Sequence, residues 1–234
     1  MRDRTRGSGP QCAEALPAAL CHHVSIGLPS LVEDRGYRRF KRLVDVIVSG
    51  LGLIILIPIL VLLGLIIRLE TPGPVIYRRR VVGVGGATFD ALKLRSMVAD
   101  AEKYLREDPK LLASFERDFK LRDDPRVTRI GKWLRELSLD ELPQLVNVLR
   151  GEMSLVGPRI IAPEELVKYG SLSRELLSVK PGMTGLWQVS GRQALSYEKR
   201  VELDMSYIGN RGAWLDLKIL MLTIPACISR RGAH

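Results

Sequence analysis

Two adjacent carboxylates, Asp140 and Glu141, stand within the segment Ser138-Leu139-Asp140-Glu141-Leu142-Pro143-Gln144. Paired acids can hold Mg²⁺, and a carboxylate can act as the nucleophile in phosphoryl transfer. The same residues also make an ordinary helix start. Ser138 and Glu141 have capping-box spacing, Asp140 would complement the helix dipole, and Pro143 is tolerated in a first turn. Arg129, Lys132, Arg135, Arg150 and Arg159 flank the acids in sequence. A helix N-terminus beside arginines is a ready phosphate site; the plainer alternative is a basic surface facing solvent or lipid.

Two turn-rich segments follow. Within Gly151-Glu152-Met153-Ser154-Leu155-Val156-Gly157-Pro158-Arg159, the Gly157-Pro158 pair predicts a tight turn that aims Arg159. Within Pro181-Gly182-Met183-Thr184-Gly185-Leu186-Trp187-Gln188-Val189-Ser190-Gly191-Arg192, the glycines would let the backbone approach a ligand closely. Either segment also reads as an ordinary loop. Cys12 and Cys21 lie near His22 and His23, but the spacing matches no usual metal-ligand pattern.

These groups must be carried by elements, and the clearest is apolar. Residues 46–67 contain no charge, a run of about 22 positions and enough to span a bilayer as a helix. Pro58 near its middle predicts a kink. Arg38, Arg39, Lys41 and Arg42 precede the run; Arg68, Arg78, Arg79 and Arg80 follow it. Cytoplasmic flanks are the ones rich in Lys and Arg. A helix that enters, bends at Pro58 and returns keeps both basic flanks on one side. A kinked spanning helix is the alternative, and the residues alone leave both open.

Beyond Thr71-Pro72-Gly73-Pro74, short strands are expected over 75–77 and 89–94, with Gly83, Gly85 and Gly86 in the turn between them. Helices are expected over 99–106, 111–118, 128–137, 139–149, 164–170, 197–207 and 214–228, the last lying against membrane or core. The fold class is α+β, mostly helical with a few short strands. Residues 1–36 read as a flexible leader, 37–70 as the membrane helix, and 71–234 as a catalytic domain.

The formal net charge of +10 suits polyanions: nucleic acid, anionic headgroups or phosphate substrates. Aromatics at 6% give few stacking platforms for single-stranded nucleic acid, but charge alone does not choose among these partners. Three cysteines without paired spacing argue against a disulfide framework.

Taken together, six segments resemble the small monotopic phosphoglycosyl transferases, bacterial sugar transferases that initiate exopolysaccharide and glycoprotein glycans. They are Lys41-Arg42-Leu43-Val44-Asp45, Lys93-Leu94-Arg95-Ser96-Met97, the acid-pair segment, Gly157-Pro158-Arg159, the stretch from Lys180 to Arg192, and Asp216-Leu217-Lys218-Ile219-Leu220. Each alone is weakly specific; six in this order are highly specific. The resemblance implies a catalytic dyad at Asp140 and Glu141, with Mg²⁺ as cofactor at the same two acids. It implies that the first acid attacks the sugar-bearing phosphorus of a UDP-sugar, releasing UMP. Polyprenyl phosphate then takes the phosphosugar from the enzyme. Lys93, Arg95, Arg135, Gly157, Pro158, Arg159, Gln188 and Arg192 become the expected substrate-binding residues. The family's re-entrant helix maps onto residues 43–69 with Pro58 as its break, which implies a bacterial inner membrane with the catalytic domain on the cytosolic face. Enzymes of this kind could pair as homodimers, and it is the resemblance carried by the motifs that implies no nucleic-acid partner. Many relatives follow Gly-Pro-Arg with proline, whereas here Ile160 and Ile161 follow, a departure that bears on nucleotide recognition. Two rival readings remain: a membrane-bound Mg²⁺-dependent phosphohydrolase and a non-enzymatic basic membrane scaffold.

Overall fold

The computed structural model describes residues 35–118, 121, 124–191 and 195–228 of the chain. The expected leader with its Cys12, Cys21, His22 and His23, and the expected site residue Arg192, fall on residues outside those described.

The first described element is α1 (Arg35–Glu70), 36 residues rich in Leu, Ile and Val. Its β-branched residues are indifferent helix formers in water. In an apolar medium, however, each backbone donor must find its acceptor within the segment, and that selects a helix. The helix is long and apolar enough to cross a membrane. It remains helical on both sides of Pro58, with no non-helical residue between. The break expected at Pro58 is therefore not an interruption of the helix, because the missing N–H removes one hydrogen bond while the flanking turns keep theirs.

One face of α1 is held along its length by the rest of the protein. Near its start, Lys41 Nζ and Tyr37 OH donate to Asp216 at 2.6 and 2.9 Å, and Arg42 donates to the carbonyls of Val148 and Leu149. Asp45 accepts from the Ser154 hydroxyl and the Leu155 N–H. Near its end, Leu63 and Ile67 pack with Leu94 and Leu134 in a small second core. The opposite face is apolar and exposed, including Ile54 and Ile55 at 69% and 70% exposure. So large an exposed apolar surface is of the kind that meets a membrane or a protein partner.

A hairpin follows, β1 (Ile76–Val82) and β2 (Thr88–Leu94), antiparallel with Tyr77 opposite Lys93 and Arg79 opposite Ala91. Then come α2 (Ala101–Glu107), α3 (Pro109–Asp118), α4 (Arg129–Glu136), a 3-10 turn over Leu139–Glu141, and α5 (Gln144–Arg150). The rest comprises β3 (Ser154–Val156), a 3-10 segment over Pro163–Leu172, α6 (Ser173–Leu176), β4 (Gly182–Thr184), α7 (Leu186–Val189), α8 (Tyr197–Asn210) and α9 (Ala213–Ile228). The fold is α+β and mostly helical, as expected; β3 and β4, a short parallel pair, were not foreseen. The main core joins α5, β3, α7, α8 and α9 through Val148, Val156, Leu186, Tyr207 and Ile219. Outward on α9, the exposed Trp214, Leu217, Met221 and Ile224 recur at three- and four-residue spacing, forming one apolar stripe.

Candidate active site

The acid pair lies at an elbow between two short helices. Thr128 caps α4 by accepting from the Gly131 N–H at 2.9 Å. A Cβ at Gly131 would fall 1.9 Å from the Ser96 carbonyl oxygen, so only glycine lets α4 approach the chain leaving β2. After α4 the backbone reverses through Ser138, whose φ of 57° places a non-glycine residue in the left-handed region. Asp140 and Glu141 then sit in the 3-10 turn, and Pro143 immediately precedes α5. The capping box expected between Ser138 and Glu141 does not form: Ser138 makes no side-chain cap. With Ser138 turned left-handed, the expected helix from Leu139 begins only at Gln144. Strain of this kind is held where surrounding structure over-determines it, often at functional sites.

The hairpin brings Lys93 to the acids. Its Nζ lies 2.6 Å from Glu141 and 3.7 Å from Asp140. Asn147 of α5 fixes the approach, accepting from the Leu92 N–H and donating to the Asp90 carbonyl, as a third strand would. Arg135, in the last turn of α4, donates to the Ser96 hydroxyl at 2.8 Å and acts electrostatically on Asp140. Asp140 is buried, with 6% exposure, and burial pushes its carboxyl up to about 6. Lys93 and Arg135 pull it down, and Glu141 pushes it further up. Burial also raises the neighbouring Glu141, but Lys93 outweighs it with help from Arg159 and Arg79, so that carboxyl stays below its usual range. The pair thus combines a basic, sheltered carboxylate with an acidic, more open one, an arrangement in which environment separates two like groups.

Beyond the acids stands a second polar cluster. The Arg159 guanidinium lies 4.9 Å from the Trp187 ring centre, and that of Arg200 lies 5.3 Å from the same centre. Arg79 donates to Glu165 at 2.7 Å, and Tyr197 donates to the other Glu165 oxygen at 3.3 Å. Asp204 is fully buried; one oxygen accepts from Tyr169 OH at 2.8 Å, and the other has no hydrogen-bond partner among the described residues. Burial raises Asp204 to about 7, although Tyr169, the Arg159 backbone and the guanidiniums of Arg159 and Arg200 pull it down.

Of the residues expected from sequence, Lys93, Arg135 and Arg159 gather around the acid pair. Arg95 does not. It is buried at the end of α1, where it donates to the carbonyls of Thr71 and Pro72 at 2.6 and 2.8 Å. The strand ends at Leu94, so Arg95 escapes the alternation that would have put it beside Lys93. Gly157 serves packing: a Cβ there would meet the Lys180 carbonyl oxygen at 2.6 Å, and one at Gly185 would meet the Gly157 carbonyl oxygen at 2.3 Å. The close approach these glycines permit is thus between backbones. Pro158 is buried in the same turn and accepts from Gly182 N–H. Gln188 donates to the Met183 carbonyl. Ile160 and Ile161 are buried in the main core. Sequence reasoning missed Arg79, Glu165, Arg200 and Asp204. The strand was expected to stop at 77; carried to Val82, its alternation puts Arg79 on the Lys93 face.

The two carboxylates fit Mg²⁺, which takes one or two protein carboxylates and completes its shell with water and substrate phosphates. Among the described residues no third acid, histidine or cysteine joins them. Asp140 and Glu141 would hold the ion, with Lys93 sharing their charge.

Comparison with known proteins places these features in context. An undecaprenyl-phosphate galactose phosphotransferase of Salmonella typhimurium is 45% identical over 204 residues, which are 86% of this chain and 43% of that protein. An uncharacterized sugar transferase of Haemophilus influenzae is 45% identical over 201 residues, 84% of this chain and 42% of that protein. The chain thus spans about two fifths of the length of these relatives. The exopolysaccharide production protein ExoY of Sinorhizobium fredii is 43% identical over 198 residues, 83% of this chain and 88% of that protein. A family model described as bacterial sugar transferase matches residues 36–230, from the start of α1 to beyond α9, and the chain belongs to that family.

Proposed function

We propose that this protein transfers a sugar 1-phosphate from a UDP-sugar to polyprenyl phosphate, giving a polyprenyl diphosphosugar and UMP. The observation that carries the reading is the Asp140–Glu141 pair bridged by Lys93 and faced by Arg135 and Arg159. The names of the relatives, among them a UDP-glucose:undecaprenyl-phosphate glucose-1-phosphate transferase, support the choice of substrates.

In the proposed mechanism an Asp140 oxygen attacks the sugar-bearing phosphorus. A phosphorus–oxygen bond to the carboxylate forms, the bond to UMP breaks, and UMP leaves with its electrons. A polyprenyl phosphate oxygen then attacks the same phosphorus and frees the carboxylate. A carboxyl raised to about 6 is ionised at neutral pH yet more basic than an ordinary aspartate, which favours nucleophilic attack. Lys93 and Arg159 offset the charge on the transferring phosphoryl group. Mg²⁺, when bound, would supply further neutralisation of the phosphate oxygens.

One substrate resides in lipid and the other in water, so the site belongs at the interface. The apolar outer face of α1 and the α9 stripe are suited to lipid. Both ends of α1 bond to the same body, through Asp216 at the start and through Arg95 beyond the end. That favours a helix that enters and leaves the bilayer on one side, the cytosolic face of a bacterial inner membrane. The test is UMP release by the full chain in lipid nanodiscs, with UDP-sugar, Mg²⁺ and polyprenyl phosphate. Release with lipid-linked product is expected. Free sugar phosphate formed equally without the lipid acceptor would make the protein a hydrolase and refute the proposal.

A further inference from the structure

The second polar cluster has more cation than its own acids can answer. Arg159 and Arg200 both lie within about 5 Å of the Trp187 ring centre, at 4.9 and 5.3 Å, and they repel one another electrostatically. The nearby carboxylates are engaged elsewhere. Glu165 accepts from Arg79 and Tyr197 and from the Ala162 backbone. Asp204 accepts from Tyr169 through one oxygen, while the other, among the described residues, is buried without a hydrogen-bond partner and forms no ion pair with either guanidinium. Among the described residues, Arg200 Nε and Trp187 Nε1 are buried without a hydrogen-bond partner. Two half-buried guanidiniums beside an aromatic ring, neither in an ion pair with a carboxylate among the described residues, suit an arriving anion.

The cluster is also built from elements that converge on the acid pair. Along α8, Tyr197, Arg200 and Asp204 recur at three- and four-residue spacing and so share one face, turned toward Arg159 and Tyr169. Arg79 lies on the β1 face that carries Tyr77, opposite Lys93. The Val82 N–H donates to the Ile161 carbonyl, which ties β1 to the chain just beyond Arg159. Arg79 and Arg159 both act on the Glu141 carboxylate, so the cluster adjoins the acids.

We infer that Arg79 and Arg200 join Arg159 in a three-guanidinium cradle for the diphosphate of the nucleotide donor, with Glu165 as the positioning residue that holds Arg79. The inference rests on the proposed function. A nucleoside diphosphate offers several anionic oxygens, enough to engage planar guanidinium forks that one lipid-borne monophosphate would leave partly unanswered.

The test measures equilibrium binding of UDP and of uridine to the full chain in nanodiscs, together with KM for each substrate. Arg79→Gln and Arg200→Gln are each expected to weaken UDP binding about ten-fold or more, as for loss of a charge-assisted hydrogen bond, with uridine binding unchanged. KM for the UDP-sugar should rise in parallel while KM for polyprenyl phosphate stays constant. Arg79→Lys and Arg200→Lys keep the charge and the stem, and should lose less. Glu165→Gln should raise the donor KM through Arg79, and should add little in an Arg79→Gln background. Wild-type UDP affinity in both glutamine variants overturns the inference while leaving the proposed function standing. A rise in the acceptor KM instead would reassign the cradle to the lipid phosphate and overturn it equally. If the wild type neither binds UDP nor turns over UDP-sugars, the proposed function fails and the inference with it.

Discussion

Replacing Asp140 with asparagine should remove activity and, at neutral pH, make the protein more stable. Asp140 is 6% exposed, and burial raises its carboxyl from 3.8 to about 6. A group whose pKa is higher in the folded state favours folding at low pH, and that advantage is lost as pH rises through the folded value. The folded chain therefore bears a penalty for the ionised carboxylate that is absent below 3.8, grows across the interval, and is complete above about 6. At about 1.4 kcal/mol per unit, the penalty is on the order of 3 kcal/mol at pH 7.5 and about half that at pH 5. The amide carries no charge to desolvate. Nor does it strand Lys93, which keeps Glu141 at 2.6 Å. For a chain of this size the gain corresponds to a melting temperature higher by roughly 5–10 °C at pH 7.5, and by about half that at pH 5. Thermal unfolding of both proteins in the same nanodiscs at the two pH values measures it. A variant that melts lower than wild type, or a difference that does not grow with pH, would refute the account of Asp140 as a buried carboxylate held ionised at a cost.

Other perturbations separate positioning from chemistry. The rate of wild-type turnover should fall on acidification, because the Asp140 carboxylate must be ionised to attack; a full pH–rate profile that is flat through the acid range would contradict this. Arg95→Ala should cost about 2–5 kcal/mol by removing charged hydrogen bonds at the end of α1, yet leave the donor KM unchanged in the protein that folds, as denaturant titration and kinetics would show. Gly182→Ala would place a Cβ 2.1 Å from the Gly157 nitrogen and should destabilise the turn region by roughly 2–4 kcal/mol, visible as a lower melting temperature. Cysteines introduced at Arg39 and at Arg78 should both label from the cytosolic side of intact cells opened on that face, and labelling of Arg39→Cys from the opposite side alone would mean that α1 spans.

What could be read from sequence followed from local rules, and the misses mark where tertiary contacts overrode them. The apolar run and basic flanks announced α1, and Thr128 announced the start of α4. Ser138 and Glu141 obeyed the capping-box spacing without forming one, since the chain must reverse between α4 and α5 and Ser138 takes the left-handed turn. Lys93 and Arg95, two residues apart, looked equivalent. Their difference lies in where β2 stops, and strand ends are set by pairing with β1 rather than by composition. Gly157, Gly182 and Gly185 looked like ligand-facing residues because glycine signals close approach without saying to what. Arg200 and Asp204 lie on α8, more than forty residues beyond Arg159, and only the folded chain brings them to it. The adjacent acids themselves were visible, but no periodicity could have shown that one would be sheltered and the other held open against Lys93.

The grip on α1 has a consequence for how high the chemistry rides. Asp45 reaches β3, Arg42 reaches the end of α5, and Glu70 accepts from the Ile130 N–H at the start of α4. The elbow that bears Asp140 lies between α4 and α5, so these contacts tie the Asp140 carboxylate to the helix. No slack tether separates them. Whatever depth α1 adopts among the acyl chains, the carboxylate stands at a set height above it, as a float sets the height of its mast. On the proposed function, a lipid-borne phosphate would meet Asp140 only if it presented its headgroup at that level, and the acceptor would then be selected by altitude as well as by charge.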